Sequence, residues 1–304
     1  MINQPPYLKR GDTIGLVAPA GFMPVENMQA CIETLDSWGY NLELGQTTHS
    51  SSSNYFSGTD EERMADLQHM LDHPDLQAIF CVRGGYGLSR IIDGLSFKKF
   101  EKHPKWIVGF SDVTVLHSHL YSNYKISSLH APMAAAFGHG EQDNVYIQSL
   151  RKALEGEPAL YSAATHHLNR EGKAEGALIG GNLALLAHLI GTESDIKTKH
   201  RILFLEDVGE YLYNIDRLMV QLKRSGKLDK LEGLIIGGFT ETKDTTRGFG
   251  MDVYDLIYHH VSEYGYPVCF GFPVSHAKEN VALKIGVRYQ LSVDDDGVSL
   301  TEST

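Results

Sequence analysis

Cysteine is scarce in this chain: three in 304 residues, at Cys31, Cys81 and Cys269, far apart and inside apolar segments. An odd count without paired spacing excludes a disulfide framework and points to reduced thiols, small core fillers and a cytoplasmic home. Positive charge is also in deficit. The formal net charge is −11 at pH 7 and no basic stripe interrupts it, which argues against a nucleic-acid partner. No apolar run approaches the ~20 residues of a membrane span. Met1 to Lys9 has no apolar core of signal-peptide length. There is no H-E-x-x-H, no cysteine pair and no tight His/Asp cluster, so neither a metal nor another cofactor is expected.

What is present is an ordinary globular composition, 42% hydrophobic, in a length that suits one large or two ordinary domains. The first half alternates apolar strand runs with helical repeats. Thr13–Ala18, Tyr40–Leu44, Ala78–Val82, Trp106–Phe110 and Ser127–Ala131 read as strands. Helices are expected over Val25–Trp38, from the capping box Thr59-Asp60-Glu61-Glu62 to Pro74, over Leu88–Leu95 and from Val113 to Tyr121. Such alternation implies right-handed crossovers and a mostly parallel sheet, with ligands beyond the carboxyl ends of the strands. The pattern weakens from Gly138 to Gly176, apart from a helix over Val145–Leu154. A junction is expected near residue 160, giving domains 1–160 and 161–304. The second half carries strands at Arg201–Leu205, Gly233–Phe239, Val268–Phe272 and Val281–Val287. A helix is capped by Asn214, and a hairpin closes around Asp294–Gly297. With many strands and few crossover helices, a smaller β-rich, barrel-like domain is expected there.

One stretch could carry chemistry. Trp106-Ile107-Val108-Gly109-Phe110-Ser111-Asp112-Val113 is a buried strand turning sharply into a helix, with a serine at the corner. Ser111 there is either an N-cap or an exposed nucleophile. Arg83-Gly84-Gly85-Tyr86-Gly87 ends the preceding strand and should share its rim. Glycines let backbone approach a ligand, so an N–H from Gly84-Gly85 and that of Asp112 could hold an oxyanion. The glycine spacing matches neither a Walker loop nor a dinucleotide fingerprint. Arg83 is either a carboxylate anchor or half of a structural salt bridge. A base must come from 15 histidines. His69, His73, His103, His166 and His167 sit in polar surroundings. His117 and His119 follow Ser111 on its helix. His130 and His276 both remain candidates. Glu206 closes the strand RILFL and could orient the base, with Asp207 and Glu210 as competitors.

Five separated motifs then carry a resemblance. Val82-Arg83-Gly84-Gly85-Tyr86-Gly87, Gly109-Phe110-Ser111-Asp112, Gly180-Gly181-Asn182-Leu183, Leu205-Glu206-Asp207 and the Ser275-His276 loop are similar, in order, to those of the LD-carboxypeptidases of the S66 serine-peptidase group. The resemblance implies a flavodoxin-like N-terminal domain and a smaller β-rich C-terminal one. It implies a Ser111–Glu206–His276 triad, selecting His276 over His130 and Glu206 over Asp207, with Gly85 and Asp112 as oxyanion donors. Arg83, Gly84, Tyr86 and Asn182 are the substrate-binding candidates. It implies no metal, a cytoplasmic homodimer, and hydrolysis of the bond to the terminal D-alanine of muropeptide tetrapeptides during peptidoglycan recycling. Two alternatives stand beside it: a microcin C self-immunity type of peptidase acting on aminoacyl adenylate analogues, and a non-catalytic two-domain binding protein.

Overall fold

Apolar runs and helical repeats become strands and helices in the order the sequence spaces them. The structure, a computed structural model, describes residues 2–138 and 143–303. Four residues of the weak stretch, 139–142, including Gly140, lie outside that description. The first strands and helices are β1 (Thr13–Val17), α1 (Gln29–Ser37), β2 (Asn41–Leu44), α2 (Asp60–Asp72), β3 (Leu76–Cys81), α3 (Leu88–Ile91), α4 (Lys98–Lys102), β4 (Trp106–Gly109), α5 (Thr114–His119), β5 (Ser128–His130) and α6 (Val145–Glu155). There follow β6 (Leu160–Ala163), β7 (Gly172–Asn182), α7 (Leu183–His188), β8 (Arg201–Val208), α8 (Leu212–Arg224), β9 (Gly233–Thr240), α9 (Val253–Val261), β10 (Val268–Phe270), β11 (Leu283–Ile285), β12 (Arg288–Asp294) and β13 (Gly297–Glu302). Among the described residues no helix is long and apolar enough to cross a membrane.

The chain divides into two units: Met1–Glu157 with Val281–Lys284, and Pro158–Asn280 with Ile285–Thr304. The first holds a six-stranded sheet in the order β2-β1-β3-β4-β5-β11. The pairs among β1 to β5 are parallel. This is the flavodoxin-like order, whose strand sequence reverses at β1 and β3. Ile14, Leu16, Phe80, Trp106 and Val108 are fully buried in its core. Both faces of such a sheet are covered, which is why these strands read as continuous apolar runs. The capping box at Thr59 forms as expected: Glu62 N–H donates to Thr59 Oγ1 at 3.2 Å, and Thr59 N–H to Glu62 Oε2 at 2.8 Å.

The second unit differs from expectation. Its seven-stranded sheet runs β10-β9-β8-β7-β12-β13-β6. The strands β7 to β10 are parallel, and β7, β12, β13 and β6 pair antiparallel. The sheet has two distinct ends, β10 and β6, and is open instead of barrel-like. The reason is connectivity. Parallel neighbours require crossovers, and α7, α8 and α9 supply three of them. Tyrosines and histidines among the apolar positions of α9 blur its helical repeat in the sequence. Helix α8 starts one turn earlier than expected, with Tyr211 at its N-cap, so Asn214 lies inside its first turn and bonds to Glu210 and Arg217.

Candidate active site

In the first unit the candidate nucleophile sits where β4 ends. The strand is wholly buried between β3 and β5. Phe110 is still extended, at φ −147°. Ser111 then takes φ +61°, a left-handed conformation that costs a residue with a Cβ on the order of 1–3 kcal/mol. The chain thereby changes from strand to helix within one residue, through a 3-10 turn over Ser111–Val113 into α5. No side-chain capping bond is made at either helix start. The helix-cap reading of Ser111 is therefore not what the fold uses.

Gly84 presses directly on this corner. A Cβ there would lie 2.8 Å from Ser111 Cβ, 3.1 Å from its Oγ and 3.2 Å from Asp112 N. Only glycine lets the loop after β3 come this close. Three loops beyond strand carboxyl ends are fastened together around it. Gly21 N–H donates to Gly84 O at 3.0 Å. The buried Asp112 carboxylate accepts from Leu88 N–H at 2.8 Å. Burial raises its pKa to about 6, against the pull of the Leu88 and Gly87 amides. Arg63, fully buried on α2, donates to Pro19 O at 2.7 Å and Gly87 O at 3.2 Å. Behind β4, His117 bonds Gly109 O and Ser128 Oγ, each at 2.8 Å, and burial lowers it to about 4, so it is neutral. His130 is enclosed as well, its ring 5.6 Å from that of Phe110.

The second unit holds an acid–histidine pair. Glu206 on β8 is fully buried, and its Oε2 accepts from His276 Nδ1 at 2.5 Å. The pairing of β8 with β9 shifts register between Leu205 and Asp207, the kind of irregularity that re-aims a side chain. Opposite lies Gly237-Gly238. A Cβ at these positions would meet Val274 O at 2.2 Å and Ser275 Cβ at 2.5 Å, so the His276 loop rests straight on the strand. Gly238 N–H donates to Val274 O at 2.9 Å. Ser275 Oγ donates to Glu279 O at 2.9 Å and accepts from Ala277 N–H at 3.0 Å, which fixes the turn around His276. Burial works against the His276 cation, but the hydrogen bond and charge of Glu206, with the charges of Asp207 and Glu241, outweigh it and hold the pKa above its ordinary value. Asp207 does a different job. It accepts from Asn182 Nδ2 at 2.8 Å, Ala184 N–H at 3.0 Å and Val208 N–H at 2.9 Å. Burial, and the adjacent Glu206 charge, raise it to about 6.

A strained serine corner backed by a glycine loop, and a buried carboxylate gripping a histidine through Nδ1, are the parts of a serine hydrolase. Residues 14–131 match the model of the LD-carboxypeptidase N-terminal domain, and residues 175–291 that of the LD-carboxypeptidase C-terminal domain, both of peptidase S66. The chain belongs to the S66 LD-carboxypeptidase family. It is similar to a protein of Bacillus subtilis (strain 168) named "Probable murein peptide carboxypeptidase", with 32% identity over 288 residues, 94% of this chain and 90% of that one. Among solved structures, muramoyltetrapeptide carboxypeptidase from Oxalobacter formigenes matches with a TM-score of 0.87 at 30% identity, covering 96% of this chain and 99% of that one. The microcin C7 self-immunity protein MccF in complex with aspartyl sulfamoyl adenosine also gives 0.87, at 25% identity over 100% and 99% of the two chains. As a family member, the chain is a serine-type hydrolase of peptide bonds.

The other residues singled out in this LD-carboxypeptidase sequence fall into place with differences. Arg83 is exposed and donates to Phe22 O, and among the described residues it has no carboxylate partner. Tyr86 is exposed, its ring 5.9 Å from Phe56. Asn182 spends its amide nitrogen on Asp207 and its oxygen on Leu185 N–H at 3.1 Å, as the N-cap of α7. Arg63 and Gly237-Gly238 were missed. The signals were an arginine on the apolar face of α2, four residues before Leu67, and a glycine pair interrupting the strand Leu234-Ile235-Ile236.

Proposed function

We propose that this chain is a serine carboxypeptidase that removes the terminal D-alanine from the L,D-linked tetrapeptide stems of muropeptides. The observation that carries the reading is the Glu206–His276 hydrogen bond at 2.5 Å, in a chain where Ser111 is, among the described residues, the one serine with a left-handed backbone. The murein and muramoyltetrapeptide names of its relatives supply the substrate class. In this scheme His276 Nε2 takes the Ser111 proton as Oγ attacks the stem carbonyl. The resulting oxyanion is held by the N–H groups of Gly85 and Asp112, each donor being worth on the order of 3 kcal/mol. Glu206 keeps the Nδ1–H tautomer and offsets the imidazolium charge. The imidazolium then protonates the leaving amine, D-alanine departs, and water activated by the same histidine resolves the acyl-enzyme. Arg83, exposed beside Gly84, binds the terminal carboxylate, and Tyr86 lies along the stem. Asn182 acts by positioning Asp207, since both ends of its amide are engaged. The same reading has the enzyme work in the cytoplasm as a homodimer, on muropeptides returned for recycling.

A second reading draws on Tyr211 and Tyr213, exposed and stacked 5.5 Å apart at 29° just past β8. They offer a platform for a planar base, as a sulfamoyl adenosine substrate would need. Trp38 and Trp106, by contrast, are buried. One experiment separates the readings: incubation with a muramyl L,D-tetrapeptide and, separately, with an aminoacyl sulfamoyl adenosine. Release of D-alanine from the first alone is expected, and turnover of the second alone overturns the proposal. Ser111→Ala is expected to lower turnover by at least about 10³-fold while leaving thermal unfolding nearly unchanged. Retained activity in that variant removes the serine mechanism, and a variant and parent both without activity leave the chain as a binding protein.

A further inference from the structure

Away from the peptidase residues, edge strand β2 and the C-terminal end of α2 bring three metal-binding groups together. His69 lies in the last turn of α2 and His73, four residues on, is its extended C-cap residue, so both rings sit at the same end of the helix. Glu43 on β2 faces them. Its Oε1 lies 3.4 Å from His69 Nε2 and its Oε2 3.4 Å from His73 Nε2. The donor atoms all fall within 4.8 Å of one another, and the two rings stand edge to face with centroids 5.6 Å apart. In the sequence these histidines read as plain surface residues without a clustered partner. The fold corrects that by laying Glu43, some thirty residues earlier, against them.

We propose that Glu43, His69 and His73 form a binding site for one divalent transition-metal ion of the zinc class, separate from the peptidase machinery. Tetrahedral ligands bound at ~2.0–2.1 Å stand about 3.3–3.4 Å from one another. Each histidine already stands at that separation from one of the two carboxylate oxygens, so a modest turn of the Glu43 carboxylate completes the set. Two imidazoles and one carboxylate suit zinc, copper or nickel, whereas calcium and magnesium take all-oxygen sets. Three protein ligands leave the fourth position to water. His69, with its side chain 63% exposed, gives the ion an open approach.

His73 is the anchored member. Asp75 N–H donates to its Nδ1 at 3.2 Å, so in the metal-free chain the ring proton stands on Nε2, aimed at Glu43. Ligation at Nε2 transfers that proton to Nδ1 and gives up the Asp75 contact. Glu43 sits on a strand paired only to β1 in its sheet, at the register Gly15↔Glu43. A bound ion therefore fastens the outermost strand to the helix over it, and stabilises the folded chain by mass action.

The full-length protein, stripped with chelator, is titrated with Zn²⁺ by calorimetry and with Co²⁺ by visible absorption. One equivalent is expected, with the intense d–d bands of four-coordinate Co²⁺ and a rise in Tm of roughly 5 °C at saturating zinc. Glu43→Gln, His69→Ala and His73→Ala should each weaken binding by about tenfold or more, with peptidase turnover unchanged. Equal affinity in all three variants would place the ion elsewhere and overturn the site, as would the absence of binding at tens of micromolar zinc. A measurement on the unaltered chain covers any variant that fails to fold. Zinc should protect His69 and His73, and not His103, from diethyl pyrocarbonate as read by peptide mass spectrometry; equal modification with and without zinc rejects the site.

Discussion

The behaviour of His276 follows from its immediate neighbours. Burial alone would lower its pKa; the hydrogen bond and charge of Glu206 more than reverse this. As the proposed general base, His276 must be neutral, so kcat/KM is expected to fall as pH drops through a midpoint above 6.5. Glu206→Gln keeps an acceptor for Nδ1–H but removes the charge. Burial then dominates, so the acid limb should move to lower pH, while kcat drops by about 10²–10⁴-fold. A pH–rate profile of both proteins checks this, and an unmoved limb would detach Glu206 from the base. Stability runs with the opposite sign. The folded pKa lies above the unfolded one, so the pair stabilises fully below about pH 6.5 and loses that contribution as pH rises through the folded value. The residue types of this pair were legible in the sequence. Their meeting was implied by the family resemblance alone, because Glu206 and His276 lie 70 positions apart and nothing local joins them.

Among the elements, the loop after β3 shows what a single missing side chain does. Gly84 is not in the left-handed region, so an alanine there is allowed by its backbone; the obstacle is the Ser111 corner 2.8–3.2 Å away. Gly84→Ala is expected to cost about 1–3 kcal/mol of stability as overpacking. It should also lower kcat by roughly 10²-fold by displacing the corner, with KM changed less. Denaturant unfolding and steady-state kinetics measure both, and wild-type kcat in a folded Gly84→Ala would contradict the close approach. The strands and helices around this loop were largely readable, since buried parallel strands leave continuous apolar runs. The open sheet of the second unit was not. A strand of β-branched and apolar residues reads alike in parallel and antiparallel partners, and only the position of the intervening helices separates the two.

For the molecule as a whole, the short return of Val281–Lys284 to the first unit matters most. It supplies β11 beside β5. There Lys284 is fully buried, donating to Tyr7 Oη and Glu157 O at 3.2 Å each. A fragment ending at residue 157 loses all of this and bares the edge of β5. It is expected to aggregate, or to unfold at lower denaturant than the first unit of the full chain, and to recover when residues 281–285 are linked back. Equal stability of the bare fragment would show that β11 is dispensable. By itself the sequence determined a two-part α/β chain, a strand-to-helix corner at Ser111, a glycine loop on the same rim and a short roster of acids and histidines. Among the acids and histidines, where family resemblance alone favoured Glu206 and His276, the tertiary structure shows Glu206 bonded to His276 and Asp207 turned to Asn182. Adjacent residues on a strand point to opposite faces, so pairing register and the shift at Leu205–Asp207 settle which carboxylate meets the histidine. His130 is drawn into the core beside Phe110, while Gly237-Gly238 gives the His276 loop a surface on which to lie.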